Sequence, residues 1–368
     1  MTDSPSAQPA TAAKPADADT FTAEVNAVLA DFLREQHEVV AGISPHAAEL
    51  VASIQDLVRG GKRMRPRFAF WGFVGAGGDP TSEVVVRAGA SLELFQAAAL
   101  IHDDLIDRSD TRRGRPSVHK RFESIHERNG WDRGASRFGE AASVLAGDLC
   151  LSYSEQMFAG IPGEHRSARA VFDRMRTQVM AGQYLDVLEE SAGRSYGAGN
   201  ALDRARTILT YKSAKYSTEN PLLIGGALAE AAGDLLDGYT EFALPLGKAF
   251  QLRDDVLGVF GDPVETGKPA GDDLREGKRT ELVAHALLLA QPEDGSFIQA
   301  RLGSAELGVA DIDRMRSIIG SCGALAATEA AIDELSDSAF EALDRLPIEA
   351  SVRDALHGLG LDAIARRA

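Results

Sequence analysis

From Phe21 onward, apolar positions fall on helical stripes: Phe21, Val25, Val28, Leu29, Phe32 and Leu33 share one face. The same periodicity recurs to the C-terminus, as in VVVRAGASLELFQAAALIHDDLID and FDRMRTQVMAGQYLDVLEE. Alternating strand patterns are nearly absent, and alanine, the best helix former, is abundant. The pattern predicts an all-α fold of moderate to long helices around one core. Clusters of turn-forming residues at GAGGDP (residues 75–80), RGRP, HERNGWDRGASRFG, GRSYGAGN and FGDPVETGKPAGDD read as inter-helix loops. No shift of composition marks a second domain, so residues 20–368 read as a single all-α domain. Residues 1–19 are rich in Ala, Pro, Ser and Asp, lack core-forming residues, and read as a disordered tail.

Charge narrows the function. Lys and Arg total 39 against 55 Asp and Glu, a formal net charge of -16, which argues against non-specific nucleic-acid binding and against a polybasic membrane contact. An anionic substrate stays compatible, because divalent metals invert the local field. Cys150 and Cys322 each lie in an apolar run and form no CxxC or Cys/His cluster. They read as buried thiols in a reducing compartment rather than zinc ligands or a disulfide. The N-terminus has no basic start and apolar core, and no uninterrupted apolar run reaches membrane-spanning length. The expectation is a cytoplasmic protein without a stable membrane anchor.

The stretch HDDLIDRSDTRRGRP, starting at His102, concentrates acids and then reverses sign. On a helix Asp103 and Asp107 share a face, with Asp104 beside it. Their mutual repulsion raises their pKa values unless a cation sits between them, and such oxygen ligands suit Mg²⁺. A solvated acidic helix end would show the same letters. A second pair, Asp254 and Asp255 in FQLRDDVLGVFGD, also ends an apolar helical stretch. Two such clusters facing one another across metals would clamp a diphosphate. Cations are at hand: Lys62, Arg63 and Arg65 in GGKRMRP, then Arg112 and Arg113, Lys212 in TYKSAKYS, and Lys268 and Lys278 in the glycine-containing GDPVETGKPAGDDLREGKRT. Each alone reads as surface charge; only the set together points to diphosphate binding.

With LAGDLCL, GQYLD and YKSA, these motifs stand in an order that resembles the trans-isoprenyl diphosphate synthases of the polyprenyl synthetase family, geranylgeranyl diphosphate synthases in particular. The resemblance spans nearly all of the chain beyond the tail. It implies a large helical bundle with a deep central cavity, a homodimer, and Mg²⁺, three ions to an active site. It implies that Asp103, Asp104 and Asp107 hold metal against an allylic diphosphate and that Asp254 and Asp255 hold a further ion. It assigns Arg112, Lys212 and Lys268 to the allylic diphosphate, and Arg113, Lys62 and Arg65 to isopentenyl diphosphate. Gln183, Asp186, Phe250 and Gln251 line the reaction centre in relatives. Carbonyl and hydroxyl dipoles from Gln183, the Lys212 backbone and Ser213 would stabilise an allylic cation, and Lys278 would close over the bound anion. The implied reaction joins isopentenyl diphosphate head-to-tail to dimethylallyl, geranyl or farnesyl diphosphate.

Three departures from the family pattern stand out. Gly258 takes the third acidic position of the second motif, with Asp262 further on as a candidate helper. Gln96 takes a position where many relatives have histidine at the isopentenyl diphosphate site, and Ser213 replaces the commoner threonine. Short-product relatives block the cavity with aromatics four or five residues before the first aspartate, where this chain has Ala99 and Ala98. Phe95 comes about 5.4 Å deeper, one helical turn, which predicts a floor there and geranylgeranyl diphosphate as the main product. The competing products are farnesyl and longer polyprenyl diphosphates. A non-catalytic regulatory subunit and a class I terpene cyclase are the competing roles; both aspartate pairs and GGKRMRP weigh against them.

Overall fold

Asp17 caps the first helix: its carboxylate accepts from the backbone N–H groups of Asp19 and Thr20, and α1 runs Ala18–Ile43. The computed structural model describes residues 17–196, 199–262, 271–304 and 306–364. The rest of the tail read from composition lies outside them, and residues 17–19 belong to the fold. In α1 the stripe turns inward as its spacing requires: Phe21, Val25, Leu29 and Leu33 are buried, and Val28 and Phe32 partly so.

Helices α2 (Ala48–Val58) and α3 (Met64–Gly75) lead to α4 (Glu83–Ile106). By length and composition α4 could cross a membrane, but 72% of its apolar window is buried against the rest of the protein. It is the core helix, packed by α1, α2, α3 and α6 (Ala135–Ala159). Leu92, Leu94 and Phe95 are fully buried, each worth about 1.5–3 kcal/mol. Ser91 and Ser154 exchange hydroxyl-to-carbonyl hydrogen bonds of 2.8 Å between α4 and α6, which satisfies both groups in the apolar interior. RGRP, read as a loop, is the turn and second strand of a hairpin: β1 (Thr111–Arg112) pairs antiparallel with β2 (Arg115–Pro116). Its two turn residues, Arg113 and Gly114, have φ of 54° and 70°, the left-handed pair that a two-residue hairpin demands.

Past α5 (Val118–Asn129) and α6, α7 (Arg166–Ala192) is followed by one nearly continuous rod. It starts as α8 (Ala201–Ile208), widens into a π-helix over Leu209–Glu219, and returns to α9 (Asn220–Leu228). The backbone N–H of Asn220 reaches the Lys215 carbonyl, the five-residue closure of that winding. Helix α10 (Gly233–Phe260) packs on this π segment and on α15 (Ala324–Arg345). The intervening elements are α11 (Asp272–Glu276), α12 (Glu281–Leu289), α13 (Pro292–Arg301) and α14 (Val309–Ser321), and α16 (Ala350–Ile364) follows.

Instead of one core, the described residues form two clusters joined along α10. Phe242, Ala243 and Leu246 face the larger N-terminal one, and Leu252, Val256 and Val259 face the smaller one built with α12 to α15. Cys150 is buried and Cys322 only partly so.

Candidate active site

Asp103 and Asp104 lie in the last turn of α4, and Asp107 is its C-cap residue. That end of a helix carries the negative pole of its dipole, so each carboxylate there costs about 0.3–1 kcal/mol. Side chains from four other segments offset it. Lys212 lies 3.3 Å from Asp103 and also pairs with Asp186. Gln183 donates to the same Asp103 oxygen at 3.3 Å. Arg112 donates to Asp104 through Nε at 2.8 Å and lies 3.6 Å from Asp103. Lys278 lies 3.0 Å from Asp107 and also pairs with Glu276.

Local sequence explains the convergence. At Gly182 a Cβ would stand 2.4 Å from the Lys212 nitrogen, so only glycine lets α7 meet the π segment backbone to backbone. That contact brings Gln183, Asp186 and Lys212 to one point. The chain reverses just past α4, where Arg108 has φ 55° and the Ser109 N–H donates to the Asp104 carbonyl at 2.9 Å, and this lays Arg112 against the helix end it has just left.

The charges fix the protonation states. Burial would raise the Asp103 carboxyl, but Lys212, Lys278 and Arg112 outweigh it and hold it at about 2. Burial and the Asp103 charge push Asp107 up, against Lys278 and Lys212. Burial opposes the charge on Lys212, yet Asp103 and Asp186 win and keep it firmly protonated. Glu190, on α7, is pushed up to about 7 by burial and by Asp186 and Asp107. The cluster therefore holds more negative charge than its cations neutralise.

The second cluster sits near the end of α10. Asp255 is buried and accepts from Gln251 at 2.8 Å, with Asp254 and Phe250 half-buried nearby on the same helix. Burial, then the Asp273 charge, pushes the Asp255 carboxyl far above the ordinary carboxylate range. Gly258 has a specific neighbour: a Cβ there would stand 1.9 Å from Oδ2 of Asp273. Asp273, on α11, thus fills the space that the motif's third aspartate would need. Asp262, the candidate helper, is exposed just past the end of α10. Glu276, also on α11, accepts from Ser109 at 3.0 Å, and Lys278 lies between Asp107 and Asp273, 4.0 Å from the latter. The two acidic clusters are therefore joined through one lysine.

A cationic patch adjoins the first cluster. The Arg113 guanidinium lies 3.2 Å from where a Gly61 Cβ would be, and Gly61 has φ 97°, so a side chain there would be strained and would displace the arginine. Burial and the charges of Arg63, Arg112 and Arg65 lower the Arg113 pKa. Lys62 is exposed beside it. Arg65 stacks over the Tyr216 ring at 4.1 Å and donates to Ser217 at 2.9 Å. Gln96 accepts from the Tyr216 hydroxyl. Arg63 has a structural part: it is buried and bonded to Glu93, Asn26 and the Val58 carbonyl.

Of the remaining residues read from the sequence, Ser213 is half-buried in the π segment next to Lys212. Ala98 and Phe95 are fully buried and Ala99 half-buried on α4, with Phe95 edge-on to Tyr216 at 5.5 Å. Lys268 lies outside the described residues. Sequence reasoning missed Asp273, Glu276, Glu190 and Tyr216. For the first two the signal was the acid-rich DDLRE beside Lys278, read only as a charged lid.

The donor set suits Mg²⁺. All its candidate ligands are carboxylate oxygens, and the buried Oδ2 of Asp107 receives no aligned hydrogen bond despite its lysine neighbour. Among the described residues no three ligating groups converge tightly enough to hold a metal by themselves.

The polyprenyl synthetase family model matches residues 47–319. The chain belongs to the polyprenyl synthetase family. As a member it is a trans-prenyltransferase with the all-α isoprenoid synthase fold. It is 30% identical to the geranylgeranyl diphosphate synthase of Saccharolobus solfataricus, over 86% of this chain and 90% of that one. It is 29% identical to the octaprenyl diphosphate synthase of Escherichia coli, over 83% and 86%. The structure of geranylgeranyl pyrophosphate synthase from Corynebacterium glutamicum, complexed with isoprenyl diphosphate and magnesium, superposes with a TM-score of 0.90 at 40% identity. That match covers 95% of this chain and 100% of that one. The relatives make products of different lengths, so family membership leaves chain length open.

Proposed function

We propose that this prenyltransferase condenses isopentenyl diphosphate with dimethylallyl, geranyl or farnesyl diphosphate, with all-trans geranylgeranyl diphosphate as the main product. The observation that carries the reading is the position of Lys278 between Asp107, at the end of α4, and Asp273, the neighbour of Gly258 on α10, with Lys212 and Arg112 both on Asp103. Asp103, Asp104 and Asp107 on one side and Asp254 and Asp255 on the other would hold Mg²⁺, three ions in all. Bound Mg²⁺ supplies charge neutralisation for the leaving diphosphate.

Arg112, Lys212, Lys268 and Lys278 meet the allylic diphosphate as its C–O bond breaks and the diphosphate leaves with the electron pair. Arg113, Lys62, Arg65 and Gln96 hold isopentenyl diphosphate so that its double bond attacks the allylic C1. The Gln183 amide oxygen, the Lys212 carbonyl and the Ser213 hydroxyl face the cation with their negative ends. A proton then leaves C2 of the isopentenyl unit for the released diphosphate. Packed apolar helices keep water from the cation. The enzyme acts as a cytoplasmic homodimer.

Phe95 supports the chain-length reading. Ala98 and Ala99 leave the turn before Asp103 without bulk, and the next turn carries a ring fixed against Tyr216. Product analysis of the purified protein with Mg²⁺, isopentenyl diphosphate and each primer in turn tests the proposal. Geranylgeranyl diphosphate is the expected end product from farnesyl diphosphate, and no diphosphate release would favour a regulatory subunit. Phe95→Ala is expected to lengthen the product by one or more isoprene units. An unchanged length would place the floor elsewhere.

A further inference from the structure

We propose that Tyr216 is a positioning residue that holds Gln96 and Arg65 together as one donor pair for the diphosphate of isopentenyl diphosphate. The inference rests on the assignment of those two side chains to that substrate. Tyr216 is 4% exposed and is the point where three segments meet: the π segment that carries it, α4 with Gln96 and Phe95, and the start of α3 with Arg65.

Its two ends do different things. The hydroxyl donates to Oε1 of Gln96, and burial holds the phenol protonated by pushing its pKa far up. A neutral amide can present either its oxygen or its nitrogen to a phosphate, and only the nitrogen attracts it. With Oε1 taken by the phenol, both N–H groups of Gln96 are left for an anion. A histidine at this position could offer charge. Glutamine cannot, so its orientation matters more.

The face of the ring does the second job. The Arg65 guanidinium lies over it, 4.1 Å from the ring centroid, and one edge is fixed by the 2.9 Å bond to Ser217, the residue after Tyr216. Its Nε is buried without a partner, which is a cost accepted for the stacked pose. The ring itself is set by its edge-on contact with Phe95. One aromatic side chain therefore fixes the direction of a neutral donor and of a charged one.

The test is steady-state kinetics with the two substrates varied separately. Tyr216→Phe keeps the ring and loses the hydroxyl. It is expected to raise KM for isopentenyl diphosphate about threefold to tenfold, with kcat within about twofold and KM for farnesyl diphosphate unchanged. Tyr216→Leu also removes the cation–π contact and is expected to raise that KM further. If Tyr216 acts through Gln96, adding Tyr216→Phe to Gln96→Ala raises KM no further than Gln96→Ala alone. A merely structural tyrosine would give additive losses, or losses shared by both substrates, and either result overturns the proposal. So does an unchanged KM in Tyr216→Phe. If Gln96→Ala and Arg65→Ala both leave the KM for isopentenyl diphosphate unchanged, it is the substrate assignment that fails.

Discussion

Asp103→Ala lowers kcat for condensation by about 10³-fold or more, the loss expected when a site loses a principal electrostatic anchor. Three groups converge on this carboxylate: Lys212 and Gln183 at 3.3 Å and Arg112 at 3.6 Å. It is also the one in the first cluster whose carboxyl is held at about 2, so it is fully charged at any working pH. In the proposed mechanism its removal takes away a metal ligand and releases Lys212 and Arg112, the two cations proposed for the diphosphate, from their common reference point. The fold is expected to survive. Lys212 keeps Asp186 and Arg112 keeps Asp104, so the stability loss stays below the roughly 3–5 kcal/mol of a stranded buried charge. Steady-state kinetics with a thermal melt beside it checks both halves. A variant within tenfold of the parent rate would remove Asp103 from the mechanism.

Gly258→Asp lowers activity by about 10²-fold, although it restores the aspartate that the family motif usually has there. The Cβ alone would approach Asp273 Oδ2 to 1.9 Å, and the new carboxylate would add charge beside Asp255, whose own carboxyl is already pushed up by burial and by Asp273. Steric overpacking of this kind costs about 1–3 kcal/mol, and like charges add to it. The second-site change Asp273→Ala clears the space. The double variant is therefore expected to recover at least about tenfold of the lost rate, while Asp273→Ala alone loses activity. Additive losses in the double variant would show that the two positions do not compete.

The reach of the sequence differed between helices and connections. Helix periodicity carried the fold: the α1 stripe and the buried run of α4 are inward for the reason their spacing gives. The aspartate pairs were visible because long apolar helices rarely end in acids without a cause. Local backbone geometry was not visible. No periodicity reports that Leu209–Glu219 winds as a π-helix, that Arg113 adopts a left-handed turn, or that Arg63 turns inward to Glu93 while Lys62 stays out. The replacement at Gly258 was only hinted at by DDLRE, because Asp273 meets α10 only through the packing of α11. Tyr216 stands in TYKSAKYS, which stood out for Lys212 alone; its hydroxyl acquires meaning only once Gln96 is opposite it.

The central claim is that two acidic helix ends clamp one diphosphate across divalent cations. Crystals grown with Mn²⁺ in place of Mg²⁺ and a non-ionisable allylic thiolodiphosphate test it most directly, through anomalous diffraction. Anomalous peaks are expected beside Asp103 and Asp107 and beside Asp254 and Asp255, with the diphosphate between them and in contact with Arg112 and Lys212. A diphosphate held by the basic side chains alone, with no manganese beside Asp254 and Asp255, would contradict it.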